Sequence, residues 1–193
     1  TTISGGGTGP VVKFMGGEGP SSVLRGFSIS DGHAFSGGGI LVQESSPTLE
    51  GLVVRNNSAD EVGGGAYLWN AAATMADVRF AGNQAGTHGG GLYMVGSQVE
   101  LTGMRFEGNF AFGHAGGMSI GESAVTLDNV TFVGNVAHTG CGALSVSGSE
   151  LDLSHAAFLN NWAGSSCGAL GSGGSVVRAS NVLFAGNAAL SCG

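Results

Sequence analysis

The stretch GGGLYMVGSQVELTGMRFEGNFAFGH, from Gly89 to His114, decides the fold of this chain, because the segments on both sides repeat its pattern at equal length. From Gly37 to Gly193 the sequence falls into six consecutive segments with a period of 26 residues and no insertion or deletion. Val54, Phe80, Phe106, Phe132, Phe158 and Phe184 form one column, and Asn57, Asn83, Asn109, Asn135, Asn161 and Asn187 form a second. Ala59, Ala85, Ala111, Ala137, Ala163 and Ala189 form a third, and Gly38, Gly64, Gly90, Gly116, Gly142 and Gly168 a fourth. A fixed period in this range signals one structural unit stacked on itself.

Inside the unit the periodicity is two, not 3.6. Leu92 and Met94 point one way, then Val99 and Leu101, then Met104 and Phe106, while Tyr93, Glu100 and Arg105 point the other way. The inward columns stay apolar: Ile40, Ala66, Leu92, Met118, Leu144 and Leu170 stack, as do Leu49, Met75, Leu101, Leu127 and Leu153. Three strands per turn, repeating in parallel, predict a three-sided, all-β parallel β-helix of about seven coils, with adjacent coils ~4.8 Å apart. Helical repeats fit poorly, since glycine in every unit is costly in a helix. The position before the Asn column holds only Gly or Asn, which predicts a left-handed backbone there. The Asn side chains are expected to form a ladder, each donating to a carbonyl of the next coil.

Composition sets limits on partners. Only 10% of the 193 residues are charged, 39 are glycine, and the net charge is −7 with six Lys+Arg. So few basic groups argue against nucleic acid and against anionic lipid, both of which require cations at the contact. No apolar run approaches the ~20 residues of a membrane helix, and the stretch from Thr1 does not read as a signal peptide, which says nothing about compartment. Thr1 and Gly193 both fall in mid-pattern, so the chain is expected to be a piece of something longer. Residues 1–36 are expected to be irregular lead-in coils, followed by six coils over 37–193, in one continuous domain; Ile3-Ser4-Gly5-Gly6 echoes Ile29-Ser30-Asp31-Gly32.

GGGLYM…VELTGMRFEGNFA, with GG[A/L/I] in the first three units (GGM and GAL in the later ones) and FxxN in every unit but the first, which has Val54, resembles the repeats of the chlamydial polymorphic outer-membrane proteins. It is similar more broadly to the pectin-lyase-like, right-handed parallel β-helix proteins of bacterial surfaces. The resemblance covers Gly37 to Gly193, and it implies a secreted or cell-surface structural or adhesive module. It implies no activity by itself, since one scaffold hosts many functions.

Candidate chemistry is sparse. His88 and His114 share a column, with His138 nearby in the next coil, and stacked imidazoles can share a metal. No carboxylate is expected in that corner, so exposed turn residues are the preferred reading, with no metal and no cofactor. Cys141 and Cys167 share a column at a spacing a disulfide tolerates, and Cys192 falls one residue short of the next position. One disulfide plus a thiol, or a ladder of small buried thiols, both fit. Glu100, Asp128 and Asp152 lie outward on the second strand of successive coils, the weak basis for a lyase or glycosidase. Without a Lys or His beside them, and with Arg178 as the nearest cation, a solvated face is the better reading. An ice-binding face is set aside, because Glu100, Asp152 and Arg178 interrupt the Thr48, Thr74 and Thr126 column.

Outward apolar residues are the feature the fold leaves unexplained. Leu41, Tyr67, Trp69, Tyr93 and Val95 form one patch, Val133, Leu159 and Leu183 another, and Phe110, Phe112 and Trp162 sit at a turn. Contiguous exposed patches mark contact surfaces. Tyr67, Trp69 and Tyr93 are therefore the binding candidates, for a protein or glycan surface, a neighbouring domain or a second copy; ordinary scattered exposure remains the alternative.

Overall fold

Four residues per coil with a left-handed backbone set the corners. In the Gly89–His114 coil they are Gly89, Gly96, Gly103 and Gly108, with φ of 63°, 61°, 67° and 58°. One coil earlier Gly63, Asn70, Asp77 and Gly82 hold the same places. Such a residue turns the chain within one position, so only short extended runs fit between corners. The column before the asparagines behaves as expected: Asn56, Gly82, Gly108, Gly134, Asn160 and Gly186 all have positive φ.

The computed structural model, which describes residues 1–191, stacks these runs into a right-handed parallel β-helix of about seven turns. The first face is a seven-stranded sheet: Val12–Phe14, Ile40–Gln43, Ala66–Trp69, Leu92–Val95, Met118–Gly121, Leu144–Ser147 and Leu170–Gly173. The second face is a twelve-stranded sheet and the third another seven-stranded one, built largely of two-residue strands such as Phe110–Ala111. Every pairing within these sheets is parallel and holds the predicted columns, with Tyr67 on Tyr93, Glu100 on Thr126 and Phe106 on Phe132. In the lead-in the spacing drifts. Val12 pairs with Ile40 and Val23 with Thr48, longer than the later period on the first face and shorter on the second.

The sides are divided differently from the sequence expectation. The second and third stretches share one face, as Gln98–Thr102 and Arg105–Glu107 do, and from the next coil they fuse into single strands, Ala124–Val133 and Glu150–Leu159. Only one left-handed residue, Asn129 or His155, separates the halves, so the chain bends without leaving the sheet. The third side begins after the Asn corner, where the strands are too short to show alternation.

Inside, Phe80, Phe106, Phe132 and Phe158 are fully buried and stack near-parallel, with centroids 5.1, 4.8 and 4.9 Å apart. That spacing matches the coil repeat, so each ring meets its neighbour at contact distance without tilting. Burial of each ring stabilises the fold by about 1.5–3 kcal/mol.

The polar interior is held by ladders. Each Asn side chain does donate to a backbone carbonyl, but to one in the preceding coil rather than the next: Asn83 Nδ2 to Val54 O at 2.9 Å, Asn109 Nδ2 to Phe80 O at 3.0 Å. Toward the next coil it donates to the Oδ1 of its counterpart. The reason is geometric, since that Oδ1 also accepts the backbone N–H of the same Asn and so completes the corner. A second ladder, of serine, runs along the first corner: the N–H groups of Ser97, Ser123 and Ser149 donate to the Oγ of Ser123, Ser149 and Ser175.

The repeated glycine of the Gly64 column serves close approach rather than a turn. A Cβ on Gly64 would collide with the carbonyl oxygen of Gln84, where the coil closes on itself.

Candidate functional site

Along the outer side of the first face, side-chain bulk falls abruptly. One column reads Leu41, Tyr67, Tyr93, Ser119, Ser145, Gly171, and its neighbour Gln43, Trp69, Val95, Gly121, Ser147, Gly173. Large side chains thus end at Tyr93 and Val95, and the next three coils carry only Ser or Gly. The result is a depression of about 700 Å³ with Ser119, Ser145 and Gly171 in its floor. Tyr93 closes one end, His88, His114 and the Cys141 and Cys167 pair stand along one side, and Glu122 lies on the other.

The wall is tightly built. Tyr67 backs Tyr93 with ring centroids 5.5 Å apart, and His88 packs against Tyr93 at 6.1 Å. The Tyr93 hydroxyl lies 3.9 Å from where a Cβ on Gly121 would stand, so the ring leans over the floor because the next coil has no side chain there. Burial holds the Tyr67 and Tyr93 hydroxyls above the usual tyrosine range. Tyr93 and Glu61 reinforce this for Tyr67, and Glu122 and Glu61 for Tyr93. Of the three binding candidates, Tyr93 lines the depression, Tyr67 supports it, and Trp69 stands beside Val95 on the same half-buried ridge.

A disulfide joins Cys141 to Cys167, whose Cα atoms are 4.6 Å apart. Its sulfurs occupy the space a Cβ on Gly171 would need, which accounts for glycine at that point of the floor. Cys192 lies outside the described residues.

His88 and His114 face each other with centroids 5.2 Å apart, and the His114 N–H donates to His88 Nδ1 at 3.3 Å. Burial, then His114, pushes the His88 imidazole below its ordinary range, while Glu61 acts in the opposite direction. The expectation that no carboxylate lies in this corner is therefore corrected. Glu61 sits there because its carbonyl accepts the Thr87 N–H one residue before His88. His138 stands exposed and does not line the depression. Among the described residues no group of three or more His, Cys, Asp or Glu could hold a metal ion.

The three carboxylates do not form one set. Glu100, Thr126 and Asp152 share a column, so Glu100 and Asp152 are two coils, ~10 Å, apart. Both line a smaller depression of about 330 Å³ on the second face. Asp128 stands two residues along, paired with Thr102 and Ser154. Its Oδ1 accepts from Ser154 Oγ at 2.6 Å and meets His155 Nδ1 at 2.8 Å. These two bonds, Ser154 first, hold the Asp128 carboxyl below the usual range. The expectation of no histidine beside the acids is thus corrected: the left-handed bend at His155 brings its ring back over the preceding coil. Arg178 does approach Asp152, at 3.3 Å.

The remaining outward apolar residues are divided among the other faces. Val133 and Leu159 are half-buried and Leu183 exposed on the second, while on the third Phe110 and Phe112 meet edge to face at 4.9 Å and Trp162 stands two coils on from Phe110, beyond Val136. The serine floor, Glu122 and Glu61 escape a sequence reading that follows large residues. The only signal for the floor was the run of small residues at Ser119, Ser145 and Gly171.

Comparison with protein-family models, with curated proteins and with solved structures finds no match to this chain. The architecture itself is of the general pectin-lyase-like β-helix kind.

Proposed function

We propose that this chain is a non-catalytic structural or adhesive β-solenoid module, secreted or displayed at a cell surface, that contacts glycans or other proteins through its first face. The observation that carries this reading is the step from Tyr67, Trp69 and Tyr93 down to Ser119, Ser145 and Gly171, which forms an aromatic wall beside a hydroxyl-bearing floor. Aromatic side chains with one wet edge suit such contacts. A disulfide between adjacent coils fits an oxidising compartment, and the GG[A/L/I] and FxxN repeats fit kinship with the chlamydial polymorphic outer-membrane proteins. A glycan array and a surface-protein panel test it: binding that Trp69→Ala or Tyr93→Ala weakens supports the module, and no binding on either overturns it.

A second reading, polysaccharide hydrolysis or lysis, draws on Glu100 and Asp152 sharing one depression. Their ~10 Å column spacing lies just past the range of an inverting pair. Depolymerisation that Glu100→Gln abolishes would establish it in place of the first.

A further inference from the structure

Charge is unevenly distributed over this molecule. All five arginines lie on strands of the second face. The single lysine, Lys13, is on the first face but pairs with Leu41, two coils before Tyr93 is reached. No Lys or Arg lines the first-face depression, whereas Glu122 does. An aromatic ring and a carboxylate bordering one recess form the arrangement that attracts an ammonium group, through the ring's negative face and through direct charge pairing. Burial and the neighbouring His114 disfavour the protonated form of the His88 imidazole beside the recess.

The floor narrows the choice of cation. Ser119, Ser145 and Ser147 line the depression, Ser119 and Ser145 one coil (~4.8 Å) apart and Ser147 two residues along the strand from Ser145, a set of hydroxyls suited to a ligand that is itself rich in hydroxyls. The floor strands Met118–Gly121 and Leu144–Ser147 are paired on both sides and offer an extended peptide no edge to join; the edge of this sheet among the described residues, on Leu170–Gly173, lies at the end of the recess away from Tyr93 and Glu122. We infer that the depression binds a glycan carrying free amino groups, with the ammonium of a glucosamine-type residue held by Glu122 and Tyr93 and the sugar hydroxyls on the serine floor. This inference rests on the first-face contact reading and gives it a ligand class; it excludes polyanionic uronate chains from the site.

The test is a calorimetric titration of the intact chain, at a pH where the amine is protonated, with four oligomers of matched length. These are the fully deacetylated glucosamine tetramer, its N-acetylated form, a galacturonate tetramer and tetralysine. The expected result is tightest binding of the deacetylated sugar, weakened as salt is raised. Glu122→Gly should weaken it at least tenfold. Glycine is what Gly96 and Gly148 supply at this left-handed position in the adjacent coils, so the variant keeps the backbone. Tyr93→Ser, which copies Ser119 of the next coil, should weaken it similarly, and circular dichroism confirms that both variants fold. Equal or tighter binding of the N-acetylated or galacturonate tetramer overturns the ammonium inference and leaves the first-face reading standing. Equal binding of tetralysine overturns the sugar assignment in favour of a basic peptide. No binding of any of the four, with the glycan array and surface-protein panel also silent, overturns both.

Discussion

Asn109 gives its side-chain amide to Asn135 Oδ1 at 3.0 Å while its backbone N–H reaches the same oxygen at 3.1 Å. One acceptor thus closes two donors at a buried corner, and the arrangement repeats from Asn57 to Asn187. Backbone groups freed by a turn inside a solenoid would otherwise be orphaned, each at a cost of about 1–3 kcal/mol.

Asn109→Ala therefore removes the side-chain donor to the Phe80 carbonyl and the acceptor shared by the Asn83 N–H and one amide hydrogen of Asn83, whose other amide hydrogen stays on Val54 O. Destabilisation on the order of 3–6 kcal/mol is expected. Asn187→Ala, in a coil that solvent reaches, should cost about a third of that or less. Urea denaturation of both variants checks the contrast.

The phenylalanine stack predicts a similar gradient. Phe132→Ala empties a fully buried position between two parallel rings and should cost about 3–5 kcal/mol. Phe184 is 52% exposed and touches a ring on one side only, so Phe184→Ala should cost well under half as much. Thermal melts that show equal losses would contradict the assigned packing.

The Cys141–Cys167 bridge closes a loop of one period, with a sequence separation of 26. Chain entropy alone assigns such a loop about 3.5 kcal/mol of stabilisation. Reduction, or the double change Cys141→Ser with Cys167→Ser, is expected to lower stability by about 2–4 kcal/mol, and thiol alkylation followed by mass analysis should report both cysteines as protected before reduction.

Acid should act in two windows. The folded-state pKa of His88 is depressed from 6.5 by burial and by His114, so the unfolded chain takes up this proton first. The stability His88 contributes is present above pH ~6.5 and is lost as pH falls through the depressed folded value. His88→Gln should flatten that portion of the stability profile. Asp128, held down by Ser154 and His155, has the same sign lower on the scale: its contribution is present above the ordinary carboxylate range and lost as pH falls below it. Asp128→Asn should remove only that later loss.

The architecture was legible in the sequence wherever one residue type satisfied one constraint in every coil. Asn at Asn83 and Gly or Asn before it read correctly because few residues tolerate a left-handed backbone or fill a buried amide site. The serine ladder was equally periodic at Ser97, Ser123, Ser149 and Ser175, but a serine beside a turn looks like a turn residue, and Ala71 interrupts the column. The depression escaped because it is made by missing bulk, at Gly121 and Gly171, rather than by any side chain. His155 escaped for another reason. A corner residue has no assigned face until its φ is known, and at 50° it folds back onto Asp128.

The unbroken period has a practical consequence for the recess beside Tyr93. A second copy of Ala115–Gly140, spliced in after Gly140, keeps every column in register, with another serine and glycine added to the floor and another phenylalanine to the stack. Each such graft lengthens the floor by ~4.8 Å and leaves the aromatic wall where it was. The size of the molecule this surface accommodates is thus adjustable in whole-coil increments, independently of the chemistry at its end.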